Sequence, residues 1–172
     1  MNQAPTLEEL MHSCGRSALH LEMRDGYMRN DPMYTAWQGG HRYKQADRAS
    51  WWHPWLDLVA QTTRRGVSVR RARVVSEPVS EYIRFEYDVT FRNVAVGEQV
   101  RWLPRRSTTD LALPGNDFWL FDGALVLVHH FSGEGDKVGA ELVQEPAVVK
   151  LCASAFEAVW ERATPHDEYQ PV

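Results

Sequence analysis

Three groups of residues in this 172-residue chain have types that could do chemistry. The first is His41-Arg42-Tyr43-Lys44 with Asp47 close behind. A histidine nucleophile needs a neighbouring cation and an orienting carboxylate in fixed geometry. The spacing here, His-x-x-Lys-x-x-Asp, provides no such register. The second is His129-His130, at the end of an apolar run. Adjacent strand residues point to opposite faces, so the pair is not expected to chelate one metal ion, and one ring should be packed and the other exposed. The third is a set of arginines: Arg70, Arg71 and Arg73 on one expected strand, Arg101 on the next, and Arg105-Arg106 beyond it. A guanidinium offers a planar fork of donors suited to phosphate and carboxylate. If the two strands are parallel neighbours, the six converge near one end of the sheet. Tyr82, Trp102 and Trp119 would then add stacking surface, and Asp117 a carboxylate. A small anion, a nucleotide or a nucleic acid would suit such a site. The competing reading is internal ion pairing with Glu77, Glu81, Glu86 and Glu98, and both readings stay open. No catalytic residue, metal-ligand set or cofactor motif is expected. Ser132-Gly133-Glu134-Gly135 lacks the lysine of a phosphate loop and reads as a hairpin turn.

The charge distribution frames these groups. The net charge is −4, but it is unevenly spread. Residues 64–106 carry ten arginines against five acids, and residues 107–172 carry three basic residues against eleven acids. The segregation either steers a charged partner or pairs the two thirds inside the fold. A pI near 6.0 argues against strong sequence-independent DNA binding. The N-terminus has no basic stretch followed by an apolar one, and no apolar run reaches the length of a membrane span. With only Cys14 and Cys152, the expectation is a cytoplasmic protein with reduced, packed thiols and no membrane association.

The elements that would position these residues follow an α/β grammar. Thr6 and Glu9 have the form of a capping box. Leu19, Leu21 and Met23 alternate with polar residues, as in a strand. Asp31-Pro32 opens a short helix ending at Gly39-Gly40. One long helix is expected from Asp47 to Arg65, closed by Gly66, then a valine-rich strand over 67–75. A helix runs from Pro78 to about Phe91, although its β-branched content leaves a strand reading open. A strand over 100–104 leads into a loop over 105–116. Asp122-Gly123 is a strong hairpin signal between 117–120 and 124–131. A third strand covers 138–143, and a last helix runs from Pro146 to about Ala163. The result is a single domain of mixed α/β (α+β) class with a central mixed sheet flanked by helices. An N-terminal extension (1–46), a core (47–163) and a tail (164–172) make it up.

Several stretches carry a resemblance: Leu21-Glu22-Met23-Arg24-Asp25-Gly26-Tyr27, Arg70-Arg71-Ala72-Arg73-Val74-Val75-Ser76-Glu77-Pro78, Gly97-Glu98-Gln99-Val100-Arg101-Trp102-Leu103-Pro104-Arg105 and Asp117-Phe118-Trp119-Leu120-Phe121-Asp122. They resemble an uncharacterised actinobacterial domain-of-unknown-function family. That resemblance implies a partnership with helix-turn-helix regulators, beside which members are often encoded. A coarser likeness, through the strand after a helix, the Asp122-Gly123 hairpin and Phe156-Glu157-x-x-Trp160, is to half of a phospholipase D-type domain. That superfamily carries His-x-Lys followed four residues later by Asp. Where it would stand before the hairpin, this chain has Asp117-Phe118-Trp119. The resemblance therefore implies the fold without its catalytic motif, and a non-catalytic regulatory or binding module. Its partner would be a helix-turn-helix transcription regulator or a second copy of itself in a homodimer. The alternative is a sensor or enzyme that uses the arginine cluster against a small anionic ligand or nucleotide. Direct nucleic-acid binding is the third reading.

Overall fold

The computed structural model describes residues 5–172. A seven-stranded mixed sheet runs in the order β6-β5-β4-β1-β2-β3-β7. In chain order the elements are α1 (Leu7–Ser13), β1 (Ser17–Glu22), α2 (Pro32–Gln38), α3 (Arg48–Trp51), α4 (Pro54–Arg64), β2 (Ser68–Val75), α5 (Glu81–Val89), α6 (Phe91–Ala95), β3 (Gln99–Pro104), β4 (Phe118–Phe121), β5 (Leu125–Phe131), β6 (Lys137–Val143), α7 (Pro146–Arg162) and β7 (Thr164–Pro165). Strands β1, β2 and β3 are parallel, and the remaining pairings are antiparallel.

Period-two alternation sorts every strand onto two faces. Leu19, Leu21, Ala72, Val74, Leu103, Phe118, Leu120 and Val126 point to one face and pack against α7 through Cys152, Phe156, Val159 and Trp160. The other face holds Ala18, Val69, Trp119 and Leu127 under α1 and α4, and Val75, Val100 and Trp102 under α2 and α5. Between these two apolar patches lies a polar strip containing His20, Glu22, Arg71 and Arg73.

Local chemistry explains most boundaries. Thr6 and Glu9 form the reciprocal capping box at the start of α1. Asp122 and Gly123 both take positive φ, 52° and 69°, the tight primed-type turn that matches the right-handed twist of a hairpin. The Asp122 carboxylate also accepts the backbone N–H groups of Gly15, Arg16 and Ser17, tying the hairpin to the start of β1.

Three expectations need correction. The long helix over 47–65 is two pieces, because Pro54 lacks a donor and its ring excludes the helical conformation from the residue before it. His53 is extended, at φ −152° and ψ 165°. Within the expected N-terminal extension, β1 lies inside the sheet between β4 and β2, so that stretch supplies a central strand. Residues 164–172 are not a loose tail. β7 pairs with β3, the Tyr169 ring stacks on Trp102 at 5.4 Å and 6°, and the Tyr169 hydroxyl donates to Glu77. No helix of the described residues is long and apolar enough to cross a membrane, and both cysteines are buried thiols.

Candidate functional site

The six arginines do not converge. β2 and β3 are parallel neighbours as expected, but alternation sends consecutive residues to opposite faces. Arg70 and Arg101 lie on the α7 side. Arg70 pairs with Glu157 at 2.7 Å, and both guanidiniums sit over the Trp160 ring, at 5.2 and 4.5 Å. Arg105 bonds Ser76 and the carbonyls of Met23 and Val74. Arg106 reaches Glu77 at 3.1 Å from an exposed position. Trp102 is buried and donates to His166.

Arg71 and Arg73 lie on the opposite face, in a closed network. Glu22 accepts from Arg71 at 2.9 Å and from Arg73 at 2.7 Å. Arg71 also pairs with Glu98 at 2.6 Å, and Arg73 with Glu86 at 2.7 Å. Asn93 donates to Glu98, Tyr82 to Glu86, and Arg73 to Thr90. Burial opposes the charge on Glu22, but the two arginines overcome it and hold its carboxyl below the usual range. Burial likewise works against Arg71, while Glu98 and Glu22 raise its hold on its proton. Each arginine is thus matched by acids within the fold, leaving little of its donor capacity for a ligand.

Beside this network a cavity of about 300 Å³ opens on the same face of the sheet. Its walls include Arg71, Tyr82, Asp117 and Trp119 from the expected set, together with His20, Glu22, Tyr27, Trp55, His129, Phe131 and Lys137. The floor is set by strand register. His20 is opposite Trp119 across β1 and β4 and stacks on its indole at 4.2 Å and 16°. The His129 N–H donates to the Asp117 carbonyl at 2.9 Å, placing the His129 ring edge-on to His20 at 6.1 Å. Next to Met28 and Phe131 of the wall, two loops are clasped together. Arg24 donates to the Ser132 carbonyl, and the Met28 N–H to the Gly135 carbonyl. Gly135 has φ 92°, and a Cβ there would stand 3.1 Å from the Gly26 oxygen. Only glycine fits this close approach without strain.

The two imidazoles are chemically unusual. Each residue is only 7% exposed, and neither His20 Nδ1 nor His129 Nε2 has a hydrogen-bond partner. Glu22 Oε1 is 3.7 Å from His20 Nδ1, beyond hydrogen-bond range. Burial, reinforced by Arg71 and His129, holds His20 well below its ordinary pKa. Burial, reinforced by Lys137, brings His129 down to about 4. Both rings are therefore neutral near pH 7. Asp117 is shifted the other way, to about 6, because burial outweighs the bonds it accepts from the Tyr27 hydroxyl and the Met23 N–H. Lys137 stands at the cavity rim, its pKa lowered by burial. Among the described residues no group of three or more His, Cys, Asp or Glu side chains is arranged to hold a metal ion.

Sequence reasoning missed His20, Glu22, Tyr27, Trp55 and Lys137 as site residues, and treated His129 only as one of a packed-and-exposed pair. The alternation of β1 was the available signal. With Leu19 and Leu21 on the α7 side, His20 and Glu22 had to enter the opposite face. His41, Lys44 and Asp47 lie outside the cavity wall.

The polypeptide trace is similar to that of Nuc, a phospholipase D family member from Salmonella typhimurium. The TM-score is 0.52 at 9% identity, over 92% of this chain and 86% of that one. It is also similar to TrmBL2, an archaeal chromatin protein (TM-score 0.48, 13% identity, 91% of this chain and 47% of that one). No curated protein matches the sequence. The fold is therefore that of a phospholipase D-type domain. The chain belongs to the domain-of-unknown-function family DUF6879, matched over residues 5–171. The His-x-Lys-x-x-x-x-Asp spacing is approximated only at His129, Phe131 and Asp136. Phe131 packs edge-on against Tyr27 at 5.1 Å.

Proposed function

We propose that this chain is a regulatory module that binds a small ligand, rather than one that transfers phosphodiesters. The ligand is planar and polar, of the size and character of a nucleobase or nucleoside. A helix-turn-helix transcription regulator on another chain receives the signal. The observation that carries this reading is an aromatic-walled cavity of about 300 Å³ lined by two buried, neutral histidines, each with a ring nitrogen that has no hydrogen-bond partner. Buried polar atoms in folded proteins are nearly always hydrogen-bonded, and an orphan marks a place where a partner is missing. Small-molecule sites pair apolar walls with a few convergent polar groups. Here Trp55, Trp119, Tyr27 and Phe131 supply planar surface. His20 and His129 supply donors or acceptors, and Lys137 supplies a cation at the rim. This ligand reading moves the anion-recognising role from the arginines, which are matched internally, to Lys137.

A thermal-shift series with nucleobases, nucleosides, nucleotides and sugar phosphates tests the cavity. At ligand concentrations of about 100 times Kd, stabilisation of roughly 2.7 kcal/mol is expected, and it should disappear in His20→Ala and in His129→Ala. A response that survives both substitutions, or no response across the series, removes the proposal. The regulator partnership rests on the family resemblance. Co-elution of purified chain with the neighbouring regulator at micromolar concentration supports it, and separate elution rejects it.

A further inference from the structure

The edge of the sheet at β6 lies on the far side of β5 from the cavity's centre and has features of its own. β6 is the terminal strand, paired only with β5 among the described residues. Val138 on it is 65% exposed, and the strand contains no proline. β6 carries two devices that commonly blunt an edge, the charges of Lys137 and Glu141 and a register irregularity opposite His130 and Phe131. No strand covers it among the described residues, so its outer N–H and C=O groups can still template another strand. On the α7 side of this edge runs a groove of about 310 Å³, floored by Phe118, Val128, Val143, Val148 and Cys152. Two acids stand on its rim. The Glu141 side chain is 63% exposed, with His130 at 3.5 Å. Glu145 occupies the N-cap position of α7 yet makes no capping bond. Over residues 134–145 the chain carries Glu134, Asp136, Glu141 and Glu145 against Lys137 alone.

We propose that β6 accepts an extended, basic segment of another protein as an eighth strand. Strand addition of this kind draws affinity from main-chain hydrogen bonds and specificity from pockets for alternate side chains. An apolar side chain of the incoming segment enters the groove, and its lysines or arginines meet Glu141 and Glu145. β6 has seven residues, so a segment of about that length spans it. Charge also selects the occupant. A second copy of this chain, docked about a two-fold axis, would set the acidic edge against itself, whereas a basic partner neutralises it.

The test uses the full chain and two seven-residue probe peptides, one alternating valine with lysine and the other valine with glutamate. The lysine peptide should bind with micromolar Kd by fluorescence anisotropy and slow hydrogen exchange at alternate amides of 137–143. The glutamate peptide should do neither. The Glu141→Lys/Glu145→Lys double variant changes two exposed side chains and should keep the parent circular dichroism spectrum while binding the lysine peptide at least tenfold more weakly. Equal binding of both peptides, no binding of the lysine peptide, or protection confined to other strands would each overturn the proposal. So would sedimentation showing that the chain alone dimerises with its β6 amides already protected. The cavity's ligand response is read separately, with Lys137, which begins β6 and lines the cavity, left unchanged in both experiments.

Discussion

The two faces of the sheet are built from the same alternating strands but hold opposite chemistry. Under α7 the contact is almost wholly aliphatic and aromatic, with Phe118, Leu21, Ala72, Val126, Phe156 and Val159 at most 2% exposed. Across the sheet, Glu22, Arg71, Arg73, Glu98, His20, His129 and Asp117 are buried between two apolar patches. Burying ion pairs costs desolvation that their attraction rarely more than repays, and a well-packed apolar replacement is often as stable. The α7 face is therefore explained by folding alone. The charged face is not accounted for by apolar burial alone.

Substitutions can break or sharpen that contrast. The largest effect belongs to the dry face. Phe156→Ala should destabilise by about 4 kcal/mol in urea unfolding, the usual cost of emptying an aromatic site in a tight core. It should leave the ligand response of the remaining folded protein unchanged. On the charged face, Glu98→Leu removes one of the two carboxylates on the buried Arg71 guanidinium and the acceptor of Asn93, and should cost about 3 kcal/mol. The double variant Arg71→Met/Glu98→Leu should recover much of this loss and yet weaken ligand-induced stabilisation. If the double variant is no more stable than the single one, the network is needed for folding and the contrast between faces narrows.

Titration gives an intermediate effect. The His129 pKa is depressed from 6.5 to about 4. The unfolded chain therefore binds protons that the folded one refuses, and stability from this group is lost as pH falls from 6.5 toward 4. The Asp117 pKa is raised from 3.8 to about 6. Here the folded state holds the proton more tightly, and stability is gained as pH falls from 6 toward 4. The two slopes oppose each other within one cavity. Relative to the parent, His129→Gln should gain about 2 kcal/mol over that acidification and Asp117→Asn should lose about 2 kcal/mol, measured by denaturant titration at pH 4 and 6.5. Identical slopes in all three proteins would show that neither group is buried in solution. The smallest effect is expected at the part-exposed Arg70–Glu157 pair that bridges β2 and α7. Glu157→Gln should change stability by less than about 1 kcal/mol, and a larger loss would mean that this rim also bears load.

Much of this arrangement was legible in the chain. The capping box at Thr6, the Asp122-Gly123 hairpin and the terminal helix over Pro146–Arg162 are local chemistry, carried by a few adjacent residues, and they stand where their patterns put them. Convergence of the arginines failed for an equally local reason. Arg70 and Arg71 are neighbours in sequence and therefore occupants of opposite faces. The cavity was not legible because its parts come from β1, β2, β4, β5 and β6, and only the strand order juxtaposes them. Residues 164–172 lack any periodic pattern, and what fixes them is the distant Trp102 ring against Tyr169.

The position of β1 has a consequence for assembly. Its neighbours come from far along the chain: β2 begins at Ser68, and the Asp122 carboxylate that secures Gly15 is 107 residues away. A central strand made first must wait for both. Loops of this length slow productive pairing, and partly built sheets expose sticky borders. As the chain leaves the ribosome, β1 can pair with β2 early, but its other side stays open until the hairpin has been synthesised. Refolding should accordingly be slow for a chain of this size, and the step most exposed to aggregation is the interval before β4 arrives.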